Sequence, residues 1–291
     1  MFSIIFENEH GKIQIGGGSH PFFRCKAISG LGLAKKEFNT IEYVGENGQD
    51  TISEKDLART ITIKGDLLGA QYELSQLAQV LYYEGQLKMQ FGNKKRMIKC
   101  RCNELGEPER RGIYNEIVIQ FICDDPEFTD FDQFMVSLFT REDLISSPFT
   151  FTAGSGLVFT KRINGADITN NGDLKTFPVF YIYNDSSEST ETLNEQKDGI
   201  LIENTTTGQK IELNYAARPD EEIIIDIGNR SIKGIYNGTT TNLINYISND
   251  TFLNKFWIDP GKNTIQITNY NTDQSITVEC QYTNRYIEAV Y

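Results

Sequence analysis

The run Asn115-Glu-Ile-Val-Ile-Gln-Phe-Ile-Cys-Asp-Asp-Pro126 decides how the first half of the chain folds. Its β-branched and aromatic residues read as a strand, and Asp124-Asp125-Pro126 must end it, because proline donates nothing to a ladder. Working outward, Arg96-Met-Ile-Lys-Cys-Arg-Cys102 alternates polar and apolar, as does Gln86-Leu-Lys-Met-Gln-Phe91, and Gly92-Asn93 lies between them. That arrangement predicts a hairpin. Arg59-Thr-Ile-Thr-Ile-Lys64 predicts a further strand. Between these strands, residues Leu67 to Tyr83 place Leu67, Leu74, Leu77, Val80 and Leu81 in one apolar stripe of helical period, which predicts a single helix lying on a sheet.

From about Gln133 to Thr160 the pattern loosens, and a domain boundary is expected there, giving domains 1–140 and 141–291. Beyond it come short runs: Phe177 to Tyr183, Gly199 to Glu203, Lys210 to Leu213, Glu222 to Asp226, Thr264 to Thr268 and Ser275 to Tyr282. Turn dipeptides punctuate them at Asn164-Gly165, Asn171-Gly172, Asp198-Gly199 and Asn237-Gly238. Such spacing predicts an all-β sandwich of jelly-roll kind. The acidic, serine- and threonine-rich stretch Asn184 to Lys197 reads as an exposed loop. The expected fold class is mainly β with one helix: an α+β N-terminal domain followed by a sandwich whose last strand covers about 285–291.

Composition narrows the function. The 291 residues carry 28 Lys and Arg against 40 Asp and Glu, a net charge of -12 without a long basic run, which argues against a phosphate-neutralising nucleic-acid binder. Apolar stretches fall short of the ~20 residues of a membrane helix, and Glu7 comes too early for a signal peptide, so a soluble chain made in a cytoplasm is expected, without membrane insertion. Cys25, Cys100, Cys102, Cys123 and Cys280 contain no C-x-x-C pair and read as reduced thiols on strands.

No constellation of catalytic residues emerges. The acids of Asp124 to Asp132 lack the ligand spacing of a calcium loop and read as a solvated corner. Gly16-Gly-Gly18 and Gly30-Leu-Gly32 lack the helix that a phosphate-binding loop leads into, so both read as turns. With His10 and His20 alone, neither zinc nor a histidine-dependent triad finds its partners. Tyr181, Tyr183, Tyr215, Tyr236, Tyr246 and Trp257 are candidates for a sugar-stacking platform, but Phe252, Leu253, Phe256 and Trp257 read first as sandwich core. Catalytic, cofactor-binding and metal residues are therefore all expected to be absent, as is any cofactor.

Taken in order, the pattern resembles one family, the distal tail proteins of siphophage-type tails. In the first half the resemblance rests on Cys25-Lys-Ala-Ile-Ser-Gly-Leu31, the Gly48-Gln-Asp50 loop, Arg59 to Gly65, the helix, Gly92 to Cys100, and Ile117 to Phe128. In the second half it rests on Ile168 to Asp173 followed by Pro178, Gly208 to Leu213, Glu222 to Asp226, Gly261 to Ile267 and Arg285 to Val290. The resemblance implies a galectin-like sandwich and a structural, non-enzymatic role. Six copies would form a ring through their N-terminal domains at the virion tail tip. The implied partners are the tail tube protein, the tail-tip hub or tail-associated lysin, and in some members a receptor-binding protein, after synthesis in the host bacterial cytoplasm. The genome would pass through the lumen without specific binding, and acidic side chains facing it would repel DNA. Segments Glu46 to Glu54 and Gly106 to Arg111 are the expected protomer or ring contacts. A carbohydrate-binding sandwich for host-surface recognition is the alternative.

Overall fold

The structure, a computed structural model, describes residues 2–17, 23–45, 47–67, 71–107, 109–111, 114–145, 159–185, 199–270 and 276–289. It divides into two units: Met1–Phe131 with Arg285–Tyr291, and Asp132–Asn284.

In the first unit the chain runs through β1 (Phe2–Asn8), β2 (Gly11–Gly16), β3 (Phe23–Ser29), β4 (Lys36–Ile41), β5 (Asp50–Asp56), β6 (Arg59–Leu67), α1 (Gln71–Leu81), β7 (Gly85–Phe91), β8 (Lys94–Leu105), β9 (Glu109–Arg111), β10 (Tyr114–Cys123) and β11 (Phe128–Thr129). The main sheet is ordered β2-β1-β7-β8-β10-β6-β3, with antiparallel neighbours throughout. β7 and β8 form the hairpin expected around Gly92-Asn93, with Phe91 opposite Lys94 and Gly85 opposite Cys100. Gly92 sits at φ +63, where a residue without Cβ carries no steric penalty. The strand that stops at Pro126 is central: β10 pairs with β6 along its length and with β8 on its other side. Its alternate residues Ile117, Ile119, Phe121 and Cys123 enter the core, where they join Phe6, Ile61, Ile63, Leu87, Met89, Leu77 and Leu81.

The helix is shorter than its apolar stripe suggests. Leu67 ends β6, opposite Phe23 and Asn115, and Tyr82 and Tyr83 lie beyond the last helical residue. A buried leucine fits a helical stripe and a strand equally well, and ladder pairing on both sides assigns Leu67 to the strand.

The second unit contains β12 (Phe134–Ile145), β13 (Phe159–Ile163), β14 (Gly165–Asn170), β15 (Val179–Asn184), β16 (Ile200–Asn204), β17 (Gln209–Leu213), β18 (Glu222–Asp226), β19 (Ser231–Tyr236), β20 (Thr239–Asn242), β21 (Gly261–Asn269) and β22 (Ile276–Tyr282). Two sheets, β13-β12-β22-β15-β18-β19-β20 and β14-β21-β16-β17, share one apolar core. Phe180, Ile182, Ile223, Ile225, Val278 and Cys280 enter it from one sheet; Ile202, Ile211, Leu213, Ile265 and Ile267 enter it from the other. Asn237 and Gly238 take φ of +48 and +75, a two-residue turn joining β19 to β20.

Two expectations give way. The boundary at 140/141 falls inside β12, which pairs with β22 on one side and β13 on the other, so the second unit begins at Asp132. The last strand, β23 (Arg285–Tyr286), leaves the sandwich and pairs with β11 of the first unit. Hydrophobic alternation shows that a strand exists but not which sheet receives it. The expected loop Asn184 to Lys197 lies, apart from Asn184 and Asp185, outside the described residues.

Candidate assembly surface

β4 and β5 form a two-stranded antiparallel sheet of their own, from Lys36 opposite Asp56 to Ile41 opposite Asp50. Because β3 and β6 are themselves neighbours in the main sheet, β4 and β5 are an excursion between two paired strands, an arm. Every residue of both strands is exposed. Apolar side chains are among them, Phe38 at 54%, Ile41 at 43% and Ile52 at 64%, and beyond the end of β4 Tyr43 is 52% and Val44 107% exposed. Besides the ladder itself, the arm is held by Asn39 Nδ2 donating to Ser53 Oγ at 2.9 Å, an exposed Lys36–Glu54 pair at 3.1 Å, and Leu57 N–H donating to Lys35 O at 2.8 Å at its base. A two-stranded ribbon without a packed face is marginal in water, so this one is suited to burial against something else.

The root of the arm, by contrast, is firmly held. Arg59 is 3% exposed at the first position of β6. Its Nη1 donates to Gly30 O at 2.8 Å and also to Gly32 O, its Nε donates to Pro126 O at 2.6 Å, and its Nη2 donates to Ile287 O at 2.9 Å. The guanidinium lies 4.4 Å from the centre of the Phe128 ring. Gly30 has φ +88, and a Cβ there would stand 2.1 Å from Thr60 O, so only glycine fits. The Gly30-Leu-Gly32 turn is therefore the fixed point from which the arm leaves the sheet.

The acid-rich corner after β10 is an ion-pair seat. Asp124 meets Arg101 at 2.9 Å; Asp125 and Glu127 meet Arg285 at 2.9 and 2.5 Å. Asp130 accepts from Arg96 at 3.2 Å and from the Tyr286 hydroxyl at 3.1 Å, and the Arg96 guanidinium stacks 3.3 Å from the Tyr286 ring centre. These acids thus fasten the returning C-terminal segment. Among the described residues, no three His, Cys, Asp or Glu side chains converge as a metal site would require, and no helix is long and apolar enough to cross a membrane.

Of the two expected contact segments, Glu46 to Glu54 is the arm's tip and second strand, with Glu46 outside the described residues. Gly106 to Arg111, with Pro108 outside the described residues, contains β9, which pairs with the start of β10. The sequence reading passed over β4, although Phe38, Ile41, Tyr43 and Val44 among charged neighbours were a signal of apolar surface without a core partner. Arg59 shares the buried face of Ile61 and Ile63 by strand parity, a sign of burial that does not name the four carbonyls it meets. His10 stacks on Tyr83 with ring centres 3.7 Å apart, while His20 lies outside the described residues.

Of the candidate sandwich aromatics, Tyr215 and Tyr246 meet edge to face with ring centres 5.0 Å apart. Lys175 Nζ stands 4.3 Å from the Trp257 ring centre, and Trp257 Nε1 donates to Asp259 at 2.9 Å. Arg218 lies over Tyr236 at 5.4 Å, and the Tyr181 hydroxyl bonds Gln281. Phe256 and Leu253 are core, as expected, whereas Phe252 is exposed. The Tyr215 hydroxyl bonds both oxygens of the buried Glu221, and burial with that neighbour pushes the phenol up to about 12.

Known proteins share this architecture. Residues 171–286 match the family model described as siphovirus-type tail component, C-terminal domain. The crystal structure of the SPP1 Dit (gp 19.1) protein, described as a paradigm of hub adsorption apparatus in Gram-positive infecting phages, superposes with a TM-score of 0.69 at 10% identity, over 98% of this chain and 99% of that one. A chain of the phage P2 baseplate in its activated conformation with Ca superposes with a TM-score of 0.53 at 14% identity, over 98% of each chain. No curated protein matches the sequence. Residues 171–286 are thus similar to the C-terminal domain of the siphovirus-type tail components, and the chain shares the fold of the SPP1 Dit protein along its length.

Proposed function

We propose that six copies of this structural tail protein close into a ring through their first units, at the virion tail tip between the tail tube and the tip hub, with the genome passing through the lumen. The observation that carries this reading is the arm: a fully exposed ribbon that presents Phe38, Ile41 and Ile52 on a rigid root. A closed ring needs two different complementary patches on each subunit, and burying one patch of every copy on its neighbour leaves none open. The acidic composition supports passage of DNA without capture. Carbohydrate binding has less support, since Lys175 occupies a face of Trp257.

Light scattering across a concentration series, with negative-stain imaging of any large species, tests the proposal. A six-fold particle of about six times 33.1 kDa is expected, and Phe38→Asp with Ile52→Asp should return it to a folded monomer. A wild-type chain that stays monomeric at every concentration, and also when mixed with tube and hub proteins, overturns the reading.

A further inference from the structure

β8 and β10 run antiparallel with Phe121 opposite Cys102 and Ile122 opposite Arg101. The paired register ends there, and continuing it by one residue would set Cys123 against Cys100; the two thiols are within hydrogen-bonding reach of one another. Both are buried in the core of the first unit, at 0% and 2% exposure. Directly opposed residues of an antiparallel pair have Cα atoms roughly 4.5–5.5 Å apart, inside the range a disulfide spans. Both residues enter the same core, so their side chains leave the sheet on one face. Cys102 is not a competing partner, because its opposite residue is Phe121.

We propose that Cys100 and Cys123 are a cross-strand disulfide site, closed when the chain folds in the presence of a small-molecule disulfide and sealed as two thiols when it folds reduced. With oxidised glutathione the chemistry balances. One cysteine thiolate attacks the glutathione disulfide, forming a mixed disulfide and releasing one glutathione thiolate. The second cysteine thiolate then displaces the remaining glutathione and closes the S–S bond. The two protons lost by the cysteines go to the two released glutathiones, and the two electrons lost by the cysteines reduce one glutathione disulfide to two thiols. In the folded reduced chain a hydrogen bond to Cys123 and burial hold the Cys100 thiol well above its ordinary pKa, so attacking thiolate is scarce. Access is closed as well. Oxidation is therefore confined to the period before the core forms, and the closed bridge would tie the two strands at the centre of the main sheet.

The test refolds the full chain from the reduced, denatured state with and without oxidised glutathione, then alkylates free thiols and maps the peptides. A Cys100–Cys123 linked peptide should dominate the oxidised sample, with Cys25, Cys102 and Cys280 alkylated. The first-unit melting temperature should rise by roughly 5 °C or more relative to the reduced chain. Cys123→Ala should abolish both effects. Free Cys100 and Cys123 after oxidative refolding, stable glutathione adducts at either, or linkage of either to Cys102 overturns the site; should Cys123→Ala fail to fold, the wild-type map decides alone. Rapid linkage when oxidised glutathione is added to the already folded reduced chain overturns the sealing.

Discussion

Arg59 satisfies four main-chain carbonyls with one guanidinium, and its removal strands acceptors in a site closed to water. Each buried group left unpaired costs about 1–3 kcal/mol, so Arg59→Met should destabilise the first unit by roughly 3 kcal/mol or more, read as a lower urea midpoint for that unit. Arg101→Ala removes an ion pair whose partners are both exposed, and should change the same midpoint by less than about 0.5 kcal/mol. Burial, not charge, separates these two arginines. In the sandwich, Tyr215 keeps its proton up to about 12 when folded, against 10.0 for an unperturbed phenol. Between those values the folded chain holds a proton that the unfolded chain has lost. Stability present below pH 10 is therefore lost as the pH climbs towards 12. Thermal melts across that window should show Tyr215→Phe with a shallower decline than the wild-type chain.

Among the elements, the arm separates folding from assembly. It contributes no buried side chain to its own unit, so Phe38→Asp with Ile52→Asp should leave the monomer's melting temperature within a few degrees of wild type while removing the ring from light scattering. Arg59→Met should impair both, because the same residue fixes the unit and the arm's root. Strands with a buried alternate face, such as β10, β18 and β22, were legible because the hydrophobic period of the sequence is the period of the fold. β12 was obscured: Phe134 and Met135 remain exposed while Leu138 is buried, and that mixture breaks the alternation. The arm's first strand was missed for a related reason, as a strand whose residues all face solvent carries no amphipathic signature.

At the scale of the molecule, the chain enters the second unit after Phe131 and returns to the first at Arg285. The return is held by Arg285 on Asp125 and Glu127, by Tyr286 against Arg96 and Asp130, by the Arg59 bond to Ile287 O, and by Ala289 N–H donating to Leu31 O at 3.0 Å. Ending the chain at Asn284 should thus weaken the first unit, remote in sequence, more than the sandwich it adjoins. Calorimetry that resolves two transitions should show the first-unit transition lowered. An equal loss in both, or a loss confined to the sandwich, would contradict the topology.

What the amino-acid order determined alone is local: the strands with one buried face, the hairpin at Gly92-Asn93, the stop at Pro126 and the family pattern. Each depends on residues close in sequence and on periods of 2 or 3.6 that any reader of the chain can detect. Only the tertiary structure decided that Arg59 faces carbonyls, that the acids after β10 await Arg285 and Tyr286, that the Cys100 and Cys123 side chains meet, and that β4 and β5 stand apart as an arm. Those facts join residues up to 228 positions apart, as Arg59 and Ile287 are, and long-range partnership leaves no local mark because each partner's neighbours are compatible with many others.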